Sequence, residues 1–383
     1  MKHAGQALLA VLIGLLILEG GLRLFINIPS PYNMPLDSLV WDDRGFWVFE
    51  PNTSFEMGNQ VDFLDRPVTI GANGMRQVPC RMSSNSDNGT PSKRIFTIGD
   101  SQTFGFGLSD DDSWPNQLQC LLNDAEVYNL GVPGINTDQY LVRLSQIWAN
   151  LTPRDVVLVM VGWNDLVTDQ SKFNPQNIKM RPCPKEPDQS TQFPTCLAKP
   201  KFLLHPDKTW RLTVYDKTGL FIPKFGSPSE FANTAVMSSA FAYLTLPRLK
   251  LLWYGMRPKS SLFEKLPTKS FYNNLRIVGR MRELVEQKGA TLVTTILPWR
   301  AFTNDSYYEA YSKGGVVFPA RDFPTYASRA ACMEFKLDCF SLFDALKSSK
   351  LNQYWLPYDG HLNDLGAKAV AMALAERIKA VQR

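Results

Sequence analysis

Histidine is the scarcest general base in this chain. His3, His205 and His361 are the three present among 383 residues. His3 lies in the N-terminal tip, and His205 precedes a proline in an irregular region and reads as an ordinary surface residue. His361 stands in an ordered, polar stretch, "WLPYDGHLNDLG", just ahead of a closing helix. Asp359 is two residues before it. On a bent loop its carboxylate can accept the hydrogen of one ring nitrogen, leaving the other to take a proton from a hydroxyl. A hydroxyl suited to that role is Ser101, in "RIFTIGDSQTFGFGLSDDDS", where the apolar run Ile95 to Ile98 ends in Gly99-Asp100-Ser101. Ser101, His361 and Asp359 form a candidate triad for nucleophilic acyl transfer.

The glycines after Ser101 admit a second chemistry, a loop wrapped around phosphate. Such a loop needs GxxxxGK[ST], or GxGxxG opening directly into a helix. No lysine follows Gly105 and Gly107, and Asp110, Asp111 and Asp112 would repel a phosphate. These glycines read as turns. Acyl transfer also needs donors for an oxyanion. The backbone amides of Ser101 and of Gly134 in "NLGVPG", together with the side-chain amide of Asn164 in "GWND", supply neutral N–H groups without bulk. Each such donor is typically worth about 3 kcal/mol of barrier.

The elements that must position these groups follow from periodicity. Apolar, β-branched runs at 94–98, 127–130 and 155–163 alternate with helical patterns near 113–124 and 138–151. The alternation resumes with a helix at 270–288, a strand at 291–297, a helix at 323–337, a short strand at 339–343 and a helix at 363–381. Continuous apolar strands separated by helices indicate a parallel sheet covered on both faces, a three-layer α/β/α domain. In such sheets ligands sit beyond the carboxyl ends of the strands, where Ser101, Gly134 and Asn164 fall. Residues 167–269, rich in proline and aromatics, lack a period and form an insertion after the third strand. Trp210, Tyr215, Phe221, Phe225, Tyr243, Trp253 and Tyr254 would pack there as a lid or present a stacking surface, and "PRLKLLWYGMRPK" would suit a membrane contact. Residues 26–90 form a polar lead with one hairpin, "VTIGANGMRQV", turning at Asn73-Gly74.

The N-terminus carries an uncharged run from Ala4 to Leu18, long enough to span a bilayer when continued to Phe25. Glu19 and Arg23 would then pair at its outer end. A cleaved signal peptide is the rival reading, although "LEGGLR" offers no small-x-small site. The expected organisation is an anchor at 1–25, the lead at 26–90 and a catalytic domain at 91–383, with its body outside the cytoplasm. Six cysteines beyond the anchor fit an oxidising compartment, and the expected pairs are Cys80–Cys120, Cys183–Cys196 and Cys332–Cys339. No CxxC occurs, so no zinc cluster is expected, and no cofactor motif is present. The charge of +5 is spread along the chain without a basic block, which argues against a nucleic-acid partner.

Gly99 to Ser101, Asn129 to Gly134 (NxGxxG), Gly162 to Asp165 (GxND) and Asp359 to Asn363 (DGHLN) resemble, in order, the four blocks of the SGNH (GDSL-type) hydrolases. The resemblance covers roughly residues 92–166 and 270–380. It implies a flavodoxin-like fold and ester hydrolysis, with Ser101 as nucleophile, Gly134 and Asn164 in the oxyanion hole and Asp359/His361 as the base pair. The apolar anchor and "VTIGANGMRQ" look like membrane-anchored bacterial members. The common pattern has two residues between the catalytic Asp and His, whereas Gly360 alone separates them here, a spacing similar to the alginate-acetylation branch. The leading expectation is an esterase removing acetyl or other small acyl groups from an envelope carbohydrate. An O-acyltransferase with the same triad and a non-catalytic carbohydrate-binding protein are the alternatives.

Overall fold

A computed structural model of the chain describes residues 2–25, 39–42, 46–58, 62–80, 93–122, 124–167, 202–204, 210–212, 241, 269–313, 321–357 and 359–381. In chain order they form α1 (Lys2–Arg23), β1 (Leu39–Asp42), β2 (Phe46–Phe49), β3 (Ser54–Met57), β4 (Arg66–Thr69), β5 (Lys93–Ile98) and α2 (Ser101–Phe104). Then come α3 (Trp114–Leu121), β6 (Ala125–Asn129), α4 (Thr137–Trp148), β7 (Val156–Gly162), α5 (Trp163–Val167), β8 (Phe202–Leu204) and β9 (Trp210–Leu212). The chain closes with α6 (Lys269–Glu286), β10 (Thr291–Leu297), α7 (Arg300–Thr303), α8 (Asp305–Lys313), α9 (Phe323–Phe335), β11 (Asp338–Ser341), α10 (Phe343–Leu346) and α11 (Asp364–Val381).

Five of these strands make one parallel sheet in the order β11-β10-β7-β5-β6. Numbered within the sheet this is 2-1-3-4-5, the flavodoxin-like order, whose topological switch point lies between β5 and β7. All seven residues of β7 are buried, and their side chains alternate between two cores. Val157, Val159 and Val161 pack with Tyr140 and Leu144 of α4 and with Phe271, Leu275 and Val278 of α6. Leu158 and Met160 pack with Trp114 and Leu118 of α3 and with Val370, Ala371 and Leu374 of α11. A strand covered on both faces can be apolar throughout, so it announces itself in sequence by its run rather than by alternation.

Ser113 is the N-cap of α3, with Pro115 in its first turn. The short helices α7, α8 and α10 carry too few turns to show a period in the sequence. The lead differs from the expected hairpin. Gly71 to Met75 do form the tight turn, closed by the Gly71 N–H donating to the Met75 carbonyl at 2.9 Å, and Ile70 bridges Arg76. The strand preceding the turn, β4, pairs along its length with the upstream β3, however, and Arg76 bridges Asn129 of the main sheet. Phe49, Met57, Phe63, Val68 and Ile70 of the lead form a third buried cluster with Phe104, Phe106 and Leu356. The lead thereby buttresses the loops at the carboxyl end of the sheet.

Cys80 and Cys120 are disulfide-bonded, closing a span of 40 residues and tying the lead to α3. By loop entropy such a link is worth about 4 kcal/mol. Cys339 is disulfide-bonded as well. The side chain of its expected partner Cys332, together with Cys183 and Cys196, lies outside the described residues. Of the insertion, the antiparallel pair β8–β9 and Phe241 are described. The other aromatics named above and the segment "PRLKLLWYGMRPK" lie outside them.

Helix α1 is long and apolar enough to cross a membrane. Its 22 residues give about 33 Å of rise, against roughly 30 Å of hydrocarbon. Arg23 Nε donates to Glu19 Oε1 at 2.7 Å, the expected pair, and the Phe241 N–H donates to Glu19 Oε2 at 3.0 Å.

At the opposite end of the sheet, Arg94 grips Asp155 with two bonds, Nε to Oδ1 at 2.9 Å and Nη2 to Oδ2 at 2.6 Å, and the Thr152 N–H adds a third at 2.6 Å. Burial pushes the Asp155 carboxyl up, but these bonds outweigh it and hold the group below its ordinary 3.8. A depressed carboxyl stabilises the fold above its unfolded value, and that contribution is lost as pH falls through the folded value. Asp155→Asn should therefore cost about 1.5–3 kcal/mol at pH 7. Urea melts at a series of pH values should also show a shallower loss of stability for the variant than for the wild type below pH 3.8.

Candidate active site

The end of β5 turns into α2 at Asp100, which caps that helix by accepting the Gln102 N–H at 2.9 Å on Oδ1. The turn is tight because Gly99 lacks a side chain. A Cβ there would fall 2.0 Å from Thr103 Oγ1 and 3.1 Å from the Met160 carbonyl oxygen. Ser101 is thus the first residue of a short helix at the carboxyl edge of the sheet.

The base arrives from 260 residues downstream. His361 Nε2 stands 2.7 Å from Ser101 Oγ, and Nδ1 is bonded to Asp359 Oδ1. Burial raises the Asp359 carboxyl. Hydrogen bonding and charge from His361, its backbone N–H and the charge of Arg300 outweigh burial and hold the group below its ordinary range. An ionised carboxylate can only accept, so Nδ1 carries the ring hydrogen and Nε2 presents its lone pair to the serine hydroxyl. The imidazole also lies against Phe106, ring centroids 5.0 Å apart, and Phe106 meets Phe63 of the lead edge-on at 5.7 Å.

The two other loops named from sequence converge on α2. Asn164, in α5 just after β7, donates from Nδ2 to Asp100 Oδ2 at 2.9 Å, across the switch point between β5 and β7. Gly162 makes room for this folding back: a Cβ would lie 2.6 Å from Asn164 Oδ1 and 3.5 Å from Asp100 Oδ2. The neighbouring Asp165 is buried and accepts from the Tyr140 hydroxyl at 2.6 Å and the Gly162 N–H at 2.8 Å. Burial, followed by the charges of Asp165 and Asp100, pushes the Tyr140 phenol well above its ordinary value, so it remains a donor. On the other side the Val132 N–H donates to the Gly99 carbonyl at 3.2 Å. Gly131 lies so close to α2 that a Cβ would stand 2.3 Å from Phe104 N. Gly134 ends that loop with φ +79°. Asn164→Ala should lower kcat by on the order of 10²–10³-fold with folding retained, read from steady-state kinetics beside a thermal melt.

Residues 97–190 match the family model of the GDSL-like lipase/acylhydrolase family. Over this segment the chain is similar to the GDSL-like hydrolases. A curated arylesterase of Vibrio mimicus is 35% identical over 78 residues, which is 19% of this chain and 38% of the arylesterase. Among solved structures, Est24, a carbohydrate acetylesterase from Sinorhizobium meliloti, aligns with TM-score 0.36 and 12% identity over 76% of this chain and 99% of its own. The native M. smegmatis aryl esterase aligns with TM-score 0.35 and 14% identity over 75% and 99%.

Several residues around the site carry no signal in the sequence. The buried Arg76 of the lead donates from Nε to Asp110 Oδ1, from Nη1 to the carbonyls of Phe104 and Gly105, all at 2.8 Å, and from Nη2 to the Leu108 carbonyl at 2.6 Å. It thereby fixes the turn in which Gly105 and Gly107 take φ of +85° and +86°. Those glycines are turns, as their sequence context implied. Arg300 Nη1 donates to the Leu356 and Pro357 carbonyls at 3.2 and 2.7 Å, behind the loop that bears Asp359 and His361. Asp62 and Gln102 hold the same loop from its other sides. An arginine in a lead and a glutamine after a serine carry no signal in isolation, because their roles lie in partners distant in sequence.

Proposed function

We propose that this chain is a serine ester hydrolase, anchored by α1 with its body outside the cytoplasm, that removes acetyl or other small acyl groups from an envelope carbohydrate. The observation that carries the reading is the 2.7 Å approach of His361 Nε2 to Ser101 Oγ with Asp359 on the far ring nitrogen. Ser101 Oγ attacks the ester carbonyl carbon while its proton passes to Nε2. The resulting oxyanion takes hydrogen bonds from the amides of Ser101 and Gly134 and from Asn164 Nδ2. Collapse of the tetrahedral intermediate breaks the bond to the alcohol oxygen, which leaves with the proton from Nε2 and yields an acyl-Ser101 ester. Water, deprotonated by Nε2, attacks that ester and releases the acid, restoring Ser101. No step in this cycle calls for a metal or a cofactor.

The ester-hydrolase class is supported by the family match and by the arylesterase relative. The membrane placement is supported by α1 and by the disulfide of Cys80 with Cys120. The anchor at 1–25, the lead at 26–90 and the catalytic domain at 91–383 with its insertion are proposed as the organisation of the whole chain. A fluorophosphonate probe should label Ser101, and acetylated saccharides should release acetate without any added acceptor. Release that depends on a saccharide acceptor would replace hydrolysis by O-acyl transfer. Failure to label Ser101 in the folded protein would leave a carbohydrate-binding role instead.

A further inference from the structure

The tripeptide Asp359-Gly360-His361 has to present a carboxylate and an imidazole to each other across one residue. It does so inside a small closed loop. The Leu356 N–H donates to the His361 carbonyl at 2.7 Å, the Gly360 N–H donates to the Leu356 carbonyl at 3.1 Å, and Trp355 bridges Leu362. Gly360 takes φ +83°, and a Cβ there would touch the Arg300 guanidinium at 3.4 Å. The N–H groups at the two ends of this unit point outward, and each meets a side chain from elsewhere. The Asp359 N–H donates to Asp62 Oδ2 at 2.6 Å, and the Leu362 N–H donates to Gln102 Oε1 at 3.2 Å.

Gln102 adjoins the nucleophile, and its own backbone is fixed at both ends. Its N–H is capped by Asp100, and its carbonyl accepts from Nε1 of the buried Trp114 at 3.0 Å. The reach of its side chain is therefore measured from the same short helix that carries Ser101. Asp62 belongs to the lead, beside Phe63, which packs on Phe106 and through it on the imidazole. Resting on the reading of Ser101, His361 and Asp359 as a triad, we propose that Gln102 and Asp62 are positioning residues that set the distance between His361 and Ser101. Gln102 ties the loop to the nucleophile, and Asp62 ties it to the lead. A leucine at 102 would keep comparable bulk but offer no acceptor.

The test uses the full chain in detergent, with Gln102→Leu, Gln102→Glu and Asp62→Ala compared with wild type on p-nitrophenyl acetate. Gln102→Leu should lower kcat by on the order of 10²-fold while KM stays within about twofold, because about 1 Å of misplacement acts on the transition state rather than on binding. Gln102→Glu keeps an acceptor for the Leu362 N–H and should recover most of the turnover. A second readout needs no substrate. With three histidines in the chain, selective ¹⁵N-histidine labelling resolves the Nδ1–H of His361. That resonance should persist in Gln102→Glu and broaden or vanish in Gln102→Leu.

Wild-type kcat and an unchanged Nδ1–H resonance in Gln102→Leu would overturn the proposal. Should Gln102→Leu not fold, Asp62→Ala decides at the other end of the loop by the same two readouts. If wild type neither hydrolyses esters nor labels with fluorophosphonate, the esterase reading fails. The histidine resonance still decides whether Gln102 positions the ring.

Discussion

Replacing His361 by alanine should lower the turnover of p-nitrophenyl acetate by on the order of 10⁶-fold, with KM little changed and the melting temperature preserved. The size follows from the geometry. Ser101 Oγ has its proton acceptor 2.7 Å away, at Nε2 of a ring whose opposite nitrogen is held by a carboxylate kept ionised by His361 and Arg300. Without the imidazole the hydroxyl loses the proton acceptor that stands 2.7 Å away, and the proposed oxyanion donors alone are left to act. Asp359→Asn should cost less, on the order of 10⁴-fold, because the imidazole remains but its tautomer is no longer fixed. The order matters as much as the magnitudes: an Asp359→Asn loss equal to that of His361→Ala would mean that Asp359 acts through the loop's fold rather than through the ring. Retained turnover in His361→Ala would dismiss the triad altogether.

Arg76→Leu should destabilise the protein by about 3–5 kcal/mol, the usual cost of removing one partner of a buried ion pair. Its guanidinium has no exposed side-chain surface and lies 4.9 Å from the centre of the Phe104 ring. Burial pulls its pKa below the ordinary arginine value, with Asp110 acting in the opposite direction. Leucine would leave the Asp110 carboxylate and the carbonyls of Phe104, Gly105 and Leu108 without this donor. Only the Thr69 N–H, at 2.8 Å on Oδ2, would remain among the bonds described to the Asp110 carboxylate. In a chain of this size the loss should appear as a fall in melting temperature on the order of 5 °C. Arg76→Lys should recover only part of it, since one ammonium cannot span three carbonyls and a carboxylate. Turnover should fall too, because the turn that Arg76 holds carries Phe106 to the face of His361. A change in melting temperature within about 1 °C, on the order of 1 kcal/mol, would show that the turn is held by other means.

The parallel sheet was readable because a strand buried on both faces must be apolar without interruption, and β7 is the plainest case. The glycines at 99 and 162 were visible as parts of motifs, but the reason for them is steric and three-dimensional. Thr103, Met160, Asn164 and Asp100 occupy the places that side chains would need. The lead was read as a polar spacer with a hairpin because its strands are four residues long and its apolar residues follow no long period. Its partners, Phe104, Phe106 and Leu356, lie far along the chain.

The sequence by itself determined which groups could do chemistry: with three histidines to choose from and one of them beside an aspartate, Ser101, Asp359 and His361 could be named from type and spacing. It also marked Gly134 and Asn164, since small and amide residues at strand ends suit an oxyanion. What only the tertiary structure decided is how those groups are held. Asn164 is bonded to Asp100 across the switch point, Gln102 and Asp62 grip the two ends of the base-bearing loop, and Arg76 fixes the turn beneath it. These are hydrogen bonds between residues tens to hundreds of positions apart. Their energy depends on angles and distances of a few tenths of an ångström, which residue order does not encode until the chain is packed.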